Sequence, residues 1–291
     1  NKIMVRRITE AHLRDFREHL YEEEKSPATI RKYMCDLKKL VDYAGEQELT
    51  KKKMIEYKEM LKQGGCYQLS SINSFLAAAN SFLDFLGWYD LKVKTFRIQK
   101  EAFVPENRDL TKQEYQRLVQ TAKNKGKNRL ALILETICAT GIRVSELADI
   151  TVSGVRRGTA EIYCKGKARR VLIPKALQQK LLYYIGKKGI RQGAVFQTSG
   201  GKSIDRSNIW KEMKALCEEA KVNENKVFPH NLRHLFAKSF YLIEKDIAKL
   251  ADMLGHSNIE TTRIYVKTTS CEHRRQLDAM RLVSELTGDT T

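Results

Sequence analysis

The sequence predicts a mainly α-helical protein with one small β-hairpin, divided into two domains. Three observations predict this fold class. Apolar residues recur at the three- and four-residue spacing of helices along much of the 291-residue chain. Residues 160–173 contain two short strand-like segments. A stretch without helical periodicity separates residues 1–98 from residues 108–291.

Four helices are predicted in the first hundred residues. The first is indicated by apolar residues at helical spacing, Leu13, Phe16 and Leu20. The second begins with an N-cap at Ser26 and a first-turn proline, Pro27. Lys51–Lys53 opens the third helix, and the fourth runs from Ser70 to Leu86. These helices define the predicted domain 1–98.

The second helix has a basic face opposite its apolar one. The cations are Arg31, Lys32, Lys38 and Lys39. Such a face is either solvated or follows the phosphates of a nucleic acid. Four short helices with basic faces fit a DNA-clamping module, although the same pattern also fits a plain helical bundle.

The helical period is lost from Leu91 to Asn107, a stretch that is rich in Lys and Arg and contains Pro105. We interpret it as the interdomain linker, with its boundaries at residues 99–107. The second domain, 108–291, then opens with a capping box at Thr111–Glu114.

Within the second domain, Leu130–Thr140 is apolar almost all round, which predicts a buried helix that ends at Gly141. Two short strands are predicted at Ala160–Cys164 and Arg170–Ile173, with Lys165–Lys167 as the turn between them. Four further helices are predicted, at Pro174–Ile185, Ser207–Ala220, Leu232–Ile243 and Asp246–Leu254.

The net charge is +18, and this excess points to a polyanionic partner. Nucleic acid is our first hypothesis; RNA binding of the ribosomal type and anionic membrane surfaces use charge in the same way. We find no apolar run near the roughly 18 residues that span a bilayer and no signal-peptide core, so we expect a cytoplasmic protein. The six cysteines include no CxxC pair, which indicates reduced thiols and no zinc site.

Six residues of the second domain have the side chains that phosphodiester transfer needs: Arg143, Lys165, His230, Arg233, His256 and Tyr265. Arg143 and Arg233 can clamp the negative charge of the transition state. A phenol is mostly protonated at neutral pH, and His230 can accept its proton. Lys165 can protonate the leaving 5′ oxygen, and His256 can hold a non-bridging oxygen or orient the nucleophile.

Taken singly, these residues also have ordinary explanations. Tyr265 lies between Ile264 and Val266 like a core tyrosine, and His256 can simply end a helix after a glycine. Arg143 can pair with Glu146 three residues on, and Lys165 can lie in a solvated turn. Spacing alone therefore leaves open a basic DNA-binding protein without catalysis.

The motifs together resemble the tyrosine recombinase family, which includes phage integrases and Xer-like recombinases. The resemblance lies in ATGIRVSEL (Ala139–Leu147), CKGKARRVLI (Cys164–Ile173), PHNLRHLF (Pro229–Phe236) and MLGHSNIETTRIY (Met253–Tyr265). Ser26–Tyr43 is similar to the first DNA-binding domain of that family, so the likeness spans nearly the whole chain.

The resemblance implies that the six residues named above are catalytic. It also implies a C-shaped clamp, in which a helical core-binding domain and a mixed α/β catalytic domain embrace the DNA. Lys167 lies on the same predicted turn as Lys165 and is a DNA-binding candidate. Leu235–Lys238 (LFAK) departs from the family pattern, in which Ser or Thr is frequent after the arginine; we expect this to alter packing rather than catalysis. No metal and no cofactor are expected.

The tail beyond Tyr265 has a partial helical stripe of Leu277, Met280, Val283 and Leu286. The family implies that such a tail docks on a neighbouring subunit of a DNA-bound homo-tetramer, or on a partner recombinase; packing on its own domain is the alternative.

We therefore expect a site-specific DNA recombinase that works through a 3′-phosphotyrosine. Our first hypothesis for its role is integration or transposition of a mobile element, and the second is Xer-like resolution of chromosome or plasmid multimers. A non-enzymatic DNA-binding regulator and a type IB topoisomerase are the rival functions. A metal-dependent nuclease is disfavoured because its clustered carboxylates are missing from the motifs.

Overall fold

The computed structural model describes residues 5–98, 108–164, 167–198, 200, 204–267 and 270–280. The chain divides into two compact units, Asn1–Lys100 and Glu101–Thr291, which fold around separate hydrophobic cores. The predicted linker, 99–107, lies outside the described residues, so the domain boundaries stay a prediction. In the parts of the chain that the structure describes, no helix is both long and apolar enough to cross a membrane.

The described residues of the first unit form four helices and a short 3-10 turn. The helices are α1 (Glu10–Glu22), α2 (Pro27–Ala44), α3 (Lys51–Gln63) and α4 (Leu69–Phe85), followed by the turn Tyr89–Leu91. Ser26 caps α2 as predicted, and the hydroxyls of Thr9 and Thr50 cap α1 and α3 in the same way. Buried residues of all four helices form one core, so this part of the chain folds as a helical unit.

The beginning of the stretch that we interpreted as a linker belongs to the first unit. Val93 is buried, and its backbone exchanges hydrogen bonds with the side chain of Asn80. The backbone of Phe96 does the same with Asn73. The side-chain amides of Asn73 and Asn80 thus supply the hydrogen bonds that this extended backbone would otherwise lack. Helical periodicity cannot predict such contacts.

The second unit contains ten α-helices in its described residues, two 3-10 helices and one hairpin. In chain order its elements are α5 (Lys112–Asn124), α6 (Asn128–Thr140), a 3-10 helix (Val144–Asp149), α7 (Val152–Arg157), β1 (Thr159–Cys164), β2 (Lys167–Leu172), α8 (Lys175–Lys188), α9 (Arg206–Lys214), α10 (Cys217–Ala220), a 3-10 helix (Glu224–Lys226), α11 (Pro229–Glu244), α12 (Ile247–Leu254), α13 (Ile259–Val266) and α14 (Ser270–Ala279).

Several predicted features of this unit are confirmed. Thr111 and Glu114 form the capping box of α5, and α6 is the central buried helix. Gly141 and Gly255 end α6 and α12 with φ of 68° and 67°, a conformation that favours glycine. The mainly helical fold with one antiparallel hairpin, β1 paired with β2, is therefore as predicted.

Other boundaries differ from the prediction. β2 begins at Lys167, which pairs with Cys164, so Lys167 belongs to the strand rather than to the turn. The predicted helix Ser207–Ala220 is two helices, because the chain turns at Leu216 to bury that side chain in the core. α11 begins at Pro229 in the favoured first-turn position, three residues before the predicted start. The short helices α7 and α13 were not predicted.

Candidate active site

Tyr265 lies on α13 and is only 4% exposed. Its ring packs in a small apolar cluster with Ala237, Leu250 and Leu254 of α11 and α12. Three imidazole rings surround the phenol, those of His230, His234 and His256, with ring centroids 5.5, 5.0 and 5.6 Å away. The hydroxyl of Tyr265 lies 3.2 Å from Nε2 of His230, so a proton acceptor is within hydrogen-bonding reach of the phenol.

Arg233 is 1% exposed and lies where two helices end. Its guanidinium donates hydrogen bonds to the carbonyl of Gly141, after α6, and over 2.8 Å to that of Leu254, the last residue of α12. Carbonyls at helix C-termini carry partial negative charge. Among the described residues no carboxylate forms an ion pair with Arg233, so helix ends rather than a counter-ion compensate this buried cation.

His256 is the second residue after α12. Its backbone N–H donates to the carbonyl of Ala251, and this bond closes the helix end. Its Nε2 lies 2.9 Å from Nη2 of Arg233, and its Nδ1 lies 2.9 Å from Oγ1 of Thr262. A guanidinium can only donate, so Nε2 is the acceptor and the ring is the neutral tautomer with its proton on Nδ1. Thr262 is fully buried on α13, three residues before Tyr265, and therefore ties His256 to the helix that carries the phenol.

Arg143 is the N-cap of the 3-10 helix Val144–Asp149, which follows α6. Its Nη1 donates to Oε1 of Glu146 and its backbone N–H donates to Oε2, both over 2.8 Å. The pairing with Glu146 at i+3 is thus present, yet the Arg143 side chain stays 37% exposed. Arg143, His230 and Arg233 together line a cavity of about 380 Å³, so the two arginines border the same space.

Burial and positive charge lower the pKa values of the histidines around Tyr265. Burial, and then the charges of Arg233 and Arg143, lower the pKa of His256 to about 4. The pKa of His230 falls for the same reasons, with burial first. Burial also lowers the pKa of His234, against the attraction of Asp109. All three rings are therefore neutral at pH 7, the state in which His230 can accept a proton.

The structure brings five of the six predicted catalytic residues together: Arg143, His230, Arg233, His256 and Tyr265. The sixth, Lys165, lies outside the described residues, and of Lys167 only the backbone position in β2 is described. His230 and Arg233 share α11 as their spacing predicted; Arg233 is buried, whereas the His230 ring is desolvated on the side of Tyr265 and Arg233 and keeps part of its surface exposed.

The predicted DNA-binding residues of α2 differ in their surroundings. Lys32 pairs with the buried carboxylate of Asp36 and donates to Ser74. Lys39 donates to the hydroxyl of Tyr67 over 2.7 Å. Arg31 and Lys38 are exposed. The uniform basic face that the sequence predicted is therefore partly used inside the first unit, because Asp36 is buried on the same helix.

Sequence reasoning did not assign four residues of this region. Arg206 and Trp210 of α9 line the cavity beside Arg143, and no sequence signal placed them there. Thr262 gave a signal, because it lies one helical turn before Tyr265. Arg169 gave another, since strand alternation puts it on the same face as the buried Val171. In the described part of the chain, no group of three or more His, Cys, Asp or Glu side chains is arranged to hold a metal ion.

Comparison with known protein families agrees with this site. The model of the phage integrase family matches residues 108–271, and that of the phage integrase N-terminal SAM-like domain matches residues 13–89. The chain therefore belongs to the phage integrase family and is an enzyme of the tyrosine recombinase class. The resemblance drawn from the motifs is confirmed.

Curated relatives match over most of their length. Tyrosine recombinase XerA of Thermococcus kodakarensis is 28% identical over 289 residues, which cover 95% of this chain and 98% of the relative. Tyrosine recombinase XerD of Halalkalibacterium halodurans is 29% identical over 276 residues, which cover 87% of this chain and 91% of the relative.

Solved structures share the fold at lower identity. The crystal structure of XerA recombinase aligns with a TM-score of 0.53 and 23% identity over 94% of this chain and 99% of that one. A lambda integrase tetramer bound to a Holliday junction aligns with a TM-score of 0.68 and 16% identity over 89% of this chain and 77% of that one. The Tn1549 transposon integrase in complex with transposon right end DNA aligns with a TM-score of 0.70 and 14% identity over 94% of this chain and 99% of that one.

Proposed function

We propose that this chain cleaves and rejoins double-stranded DNA at specific sites through a covalent 3′-phosphotyrosine at Tyr265. The observation that carries the proposal is the 3.2 Å approach of the Tyr265 hydroxyl to Nε2 of His230, beside the buried guanidinium of Arg233. A phenol next to a neutral base and fixed cations is suited to attack a phosphodiester. The net charge of +18 supports a polyanionic substrate.

Arg143 and Arg233 hold the scissile phosphate in this proposal. Both line the same cavity, and each guanidinium has N–H groups beyond those used within the protein. Negative charge builds on the non-bridging oxygens during transfer, so donors fixed beforehand stabilise the transition state more than the ground state. Arg233 supplies the more rigid donor because it is buried and held by carbonyls on two helices.

The proton of Tyr265 passes to His230 as the phenol oxygen bonds to phosphorus. The bond from phosphorus to the 5′ oxygen breaks, and that oxygen takes a proton from Lys165. The hairpin supports this assignment, since β1 and β2 pair up to Cys164 and Lys167 and the sequence places Lys165 between them. Lys167 is proposed to contact DNA nearby. Reversal of the same step rejoins the strand, and the phosphotyrosine conserves the bond energy.

His256 orients the site rather than holding a phosphate oxygen. Its Nε2 accepts from Arg233, so that nitrogen has no proton to give to a phosphate. Its ring also lies nearly parallel to that of Tyr265, at 14° between planes. Of the two roles that the sequence allowed for His256, orientation is therefore the one that we propose.

The first unit is proposed to bind DNA through α2. Arg31 and Lys38 are its exposed cations, whereas Lys32 and Lys39 are held by Asp36 and Tyr67 and present only part of their charge. We further propose a homo-tetramer on DNA in the cytoplasm, with the tail docked on a neighbour. Leu277 in α14 and Met280, the residue after it, are 54% and 56% exposed, as a docking surface requires; Val283 and Leu286 lie outside the described residues.

Two biological roles fit this chemistry. Integration or transposition of a mobile element is the first. Resolution of chromosome or plasmid multimers is the second, and it is supported by relatives named XerA and XerD, which cover 95% and 87% of the chain. The DNA sites decide between them, because an integrase acts at element ends flanked by direct repeats whereas a resolvase acts at a single chromosomal or plasmid site.

The proposal is tested by trapping the enzyme on DNA. Nicked, sheared genomic DNA from the source organism is incubated with the protein without divalent metal and with EDTA. Denaturation then allows covalent adducts to be recovered and their DNA sequenced. We expect one family of sites, with the protein on the 3′ end, for the wild type and none for Tyr265→Phe.

Three results would contradict the proposal. Equal adducts from wild type and Tyr265→Phe would assign the chemistry to another residue. The lack of any adduct would favour a non-enzymatic regulator. Relaxation of supercoiled plasmids that lack the recovered site, as fast as of those that carry it, would favour a type IB topoisomerase.

A further inference from the structure

Arg169 of β2 is a cation on the inner face of the hairpin. In the register of the hairpin it pairs with Ile162, which is fully buried. The next residue on the same face, Val171, is also buried, whereas Arg170 on the opposite face is exposed. An arginine at an inward position of a strand needs a partner for its charge.

That partner is Glu146, which Arg169 binds in the bidentate fork geometry. Nη1 donates to Oε1 over 3.0 Å and Nη2 donates to Oε2 over 2.8 Å. Together with the two bonds from Arg143, each carboxylate oxygen of Glu146 accepts two hydrogen bonds. Burial alone would raise the pKa of Glu146, but the bonds from Arg169 and Arg143 lower it. Glu146 is 4% exposed and is therefore a fixed, charged anchor.

The two arginines differ in what they present to the cavity. The Arg169 side chain is 15% exposed and uses both terminal nitrogens on Glu146. The Arg143 side chain is 37% exposed and gives Glu146 only one terminal nitrogen. One carboxylate shared between two guanidiniums leaves a net charge of one positive unit on the three side chains. The N–H groups of Arg143 that do not bind Glu146 present this charge at the cavity that Arg143 lines.

Arg169 also reaches the other side of the site. A Cβ on Gly255 would lie 2.7 Å from Cδ of Arg169, so the backbone just before His256 packs directly on this side chain. Arg169 thus connects the β-hairpin to Glu146, which holds Arg143, and to the helix end that positions His256.

We propose that Arg169 is a positioning residue of the recombinase, which fixes Arg143 on the scissile phosphate through the shared carboxylate of Glu146. This inference rests on the proposed function. Removal of Arg169 takes away two of the four hydrogen bonds of Glu146 and leaves Arg143 as its single cation, so the carboxylate can draw the Arg143 guanidinium into a closed ion pair. Misplacement of one transition-state donor by an ångström costs about 100-fold in rate.

The test compares Arg169→Met with Arg170→Met, which removes the neighbouring arginine from the outer face of the same strand. Single-turnover cleavage is measured at saturating enzyme on a nicked duplex of the site recovered by trapping, with sulfur as the 5′ bridging atom so that slow variants remain measurable. We expect Arg169→Met to lower the rate constant about 10- to 100-fold, Arg169→Lys to lower it less, and Arg170→Met to leave it within about threefold. The dissociation constant for DNA should change less than about threefold in the Arg169 variants.

Coupling to Arg143 distinguishes positioning from a general structural effect. In an Arg143→Lys background, Arg169→Met should lower the rate by no more than about threefold further, because the two residues act as one unit. A full additional loss in that background, a loss of DNA affinity equal to the loss of rate, or equal rates for Arg169→Met and Arg170→Met would each overturn the inference.

A measurement without DNA keeps the inference separate from the proposed function. The side-chain Nε–H order parameter of Arg143, from NMR relaxation, should fall in Arg169→Met and stay at the wild-type value in Arg170→Met. An unchanged order parameter in Arg169→Met would overturn the inference even if no DNA site were found. If Arg169→Met does not fold, Arg169→Lys serves in both measurements, because it keeps the charge and loses the fork.

Discussion

Nη2 of Arg233 donates a hydrogen bond to Nε2 of His256 over 2.9 Å, and this contact fixes the charge and the tautomer of the histidine. The guanidinium is buried and cannot turn toward solvent. A protonated His256 would place an N–H against the N–H of Arg233. The site is therefore built around a neutral imidazole at His256, and the stability of the protein depends on pH for that reason.

We predict that the protein loses stability as the pH falls from 6.5 toward 4. The pKa of His256 is about 4 in the folded state and about 6.5 in the unfolded chain. Between these values the unfolded state binds the proton and the folded state does not, so protonation favours unfolding; above pH 6.5 the effect vanishes. Thermal unfolding of wild type and His256→Phe, which keeps a ring against Tyr265, measures it. The fall in Tm between pH 7 and 4.5 should be smaller in the variant by roughly 5 °C, and parallel curves would contradict the assignment.

We predict that Arg233→Lys lowers DNA cleavage by about 100- to 1,000-fold. A lysine has one ammonium in place of the planar fork, so it cannot hold the Gly141 and Leu254 carbonyls and the phosphate together. Arg143→Ala should act in the same direction. Single-turnover cleavage and DNA affinity are measured in parallel, and the affinity should change little. Equal losses in both would mean that these arginines only hold DNA.

We predict that Gly141→Ala destabilises the protein more than Gly126→Ala. Both glycines have φ of 68°, which costs an alanine about 1 kcal/mol. Gly126 has no heavy atom within 4 Å of an added Cβ, whereas at Gly141 the Cβ would overlap the ring of Phe236, which adds about 1–3 kcal/mol. Urea unfolding measures both variants. Gly141→Ala should also lower the cleavage rate, because the Gly141 carbonyl holds Arg233. Equal free energies of unfolding for the two variants would contradict the prediction, because they would mean that the Phe236 ring moves aside at no cost.

The sequence predicted the ends of the elements around the site better than the contacts between them. Gly141 and Gly255 signal helix ends by local chemistry, and His230 and Arg233 share a face by spacing. That Arg233 links these two helix ends is a contact over 92 and 21 residues, which no local pattern encodes. The helix that carries Tyr265 was missed because only Thr262 and Tyr265 are buried in its eight residues, too few for a helical period.

We predict that the cleavage rate falls at pH values below the usual histidine pKa of about 6.5 and is level above that value, because only neutral His230 can accept the proton of Tyr265. Burial and the nearby cations lower the pKa of His230, so the fall begins on the acid side of the usual histidine value. Single-turnover rates from pH 5 to 8 measure the profile. His230→Ala should cleave slowly, and its rate should not show this fall at acid pH. A pH profile in that variant with the same shape as that of the wild type would exclude His230 as the base.

The most direct test of the account is to identify the residue that becomes joined to DNA. The trapped adduct is digested with protease and nuclease, and the nucleotide-bearing peptide is sequenced by mass spectrometry. We predict a single modified peptide that contains Thr262–Lys267, with the nucleotide on the oxygen of Tyr265 and linked through its 3′ phosphate. A nucleotide on any other residue, or an adduct formed by Tyr265→Phe, would contradict the account.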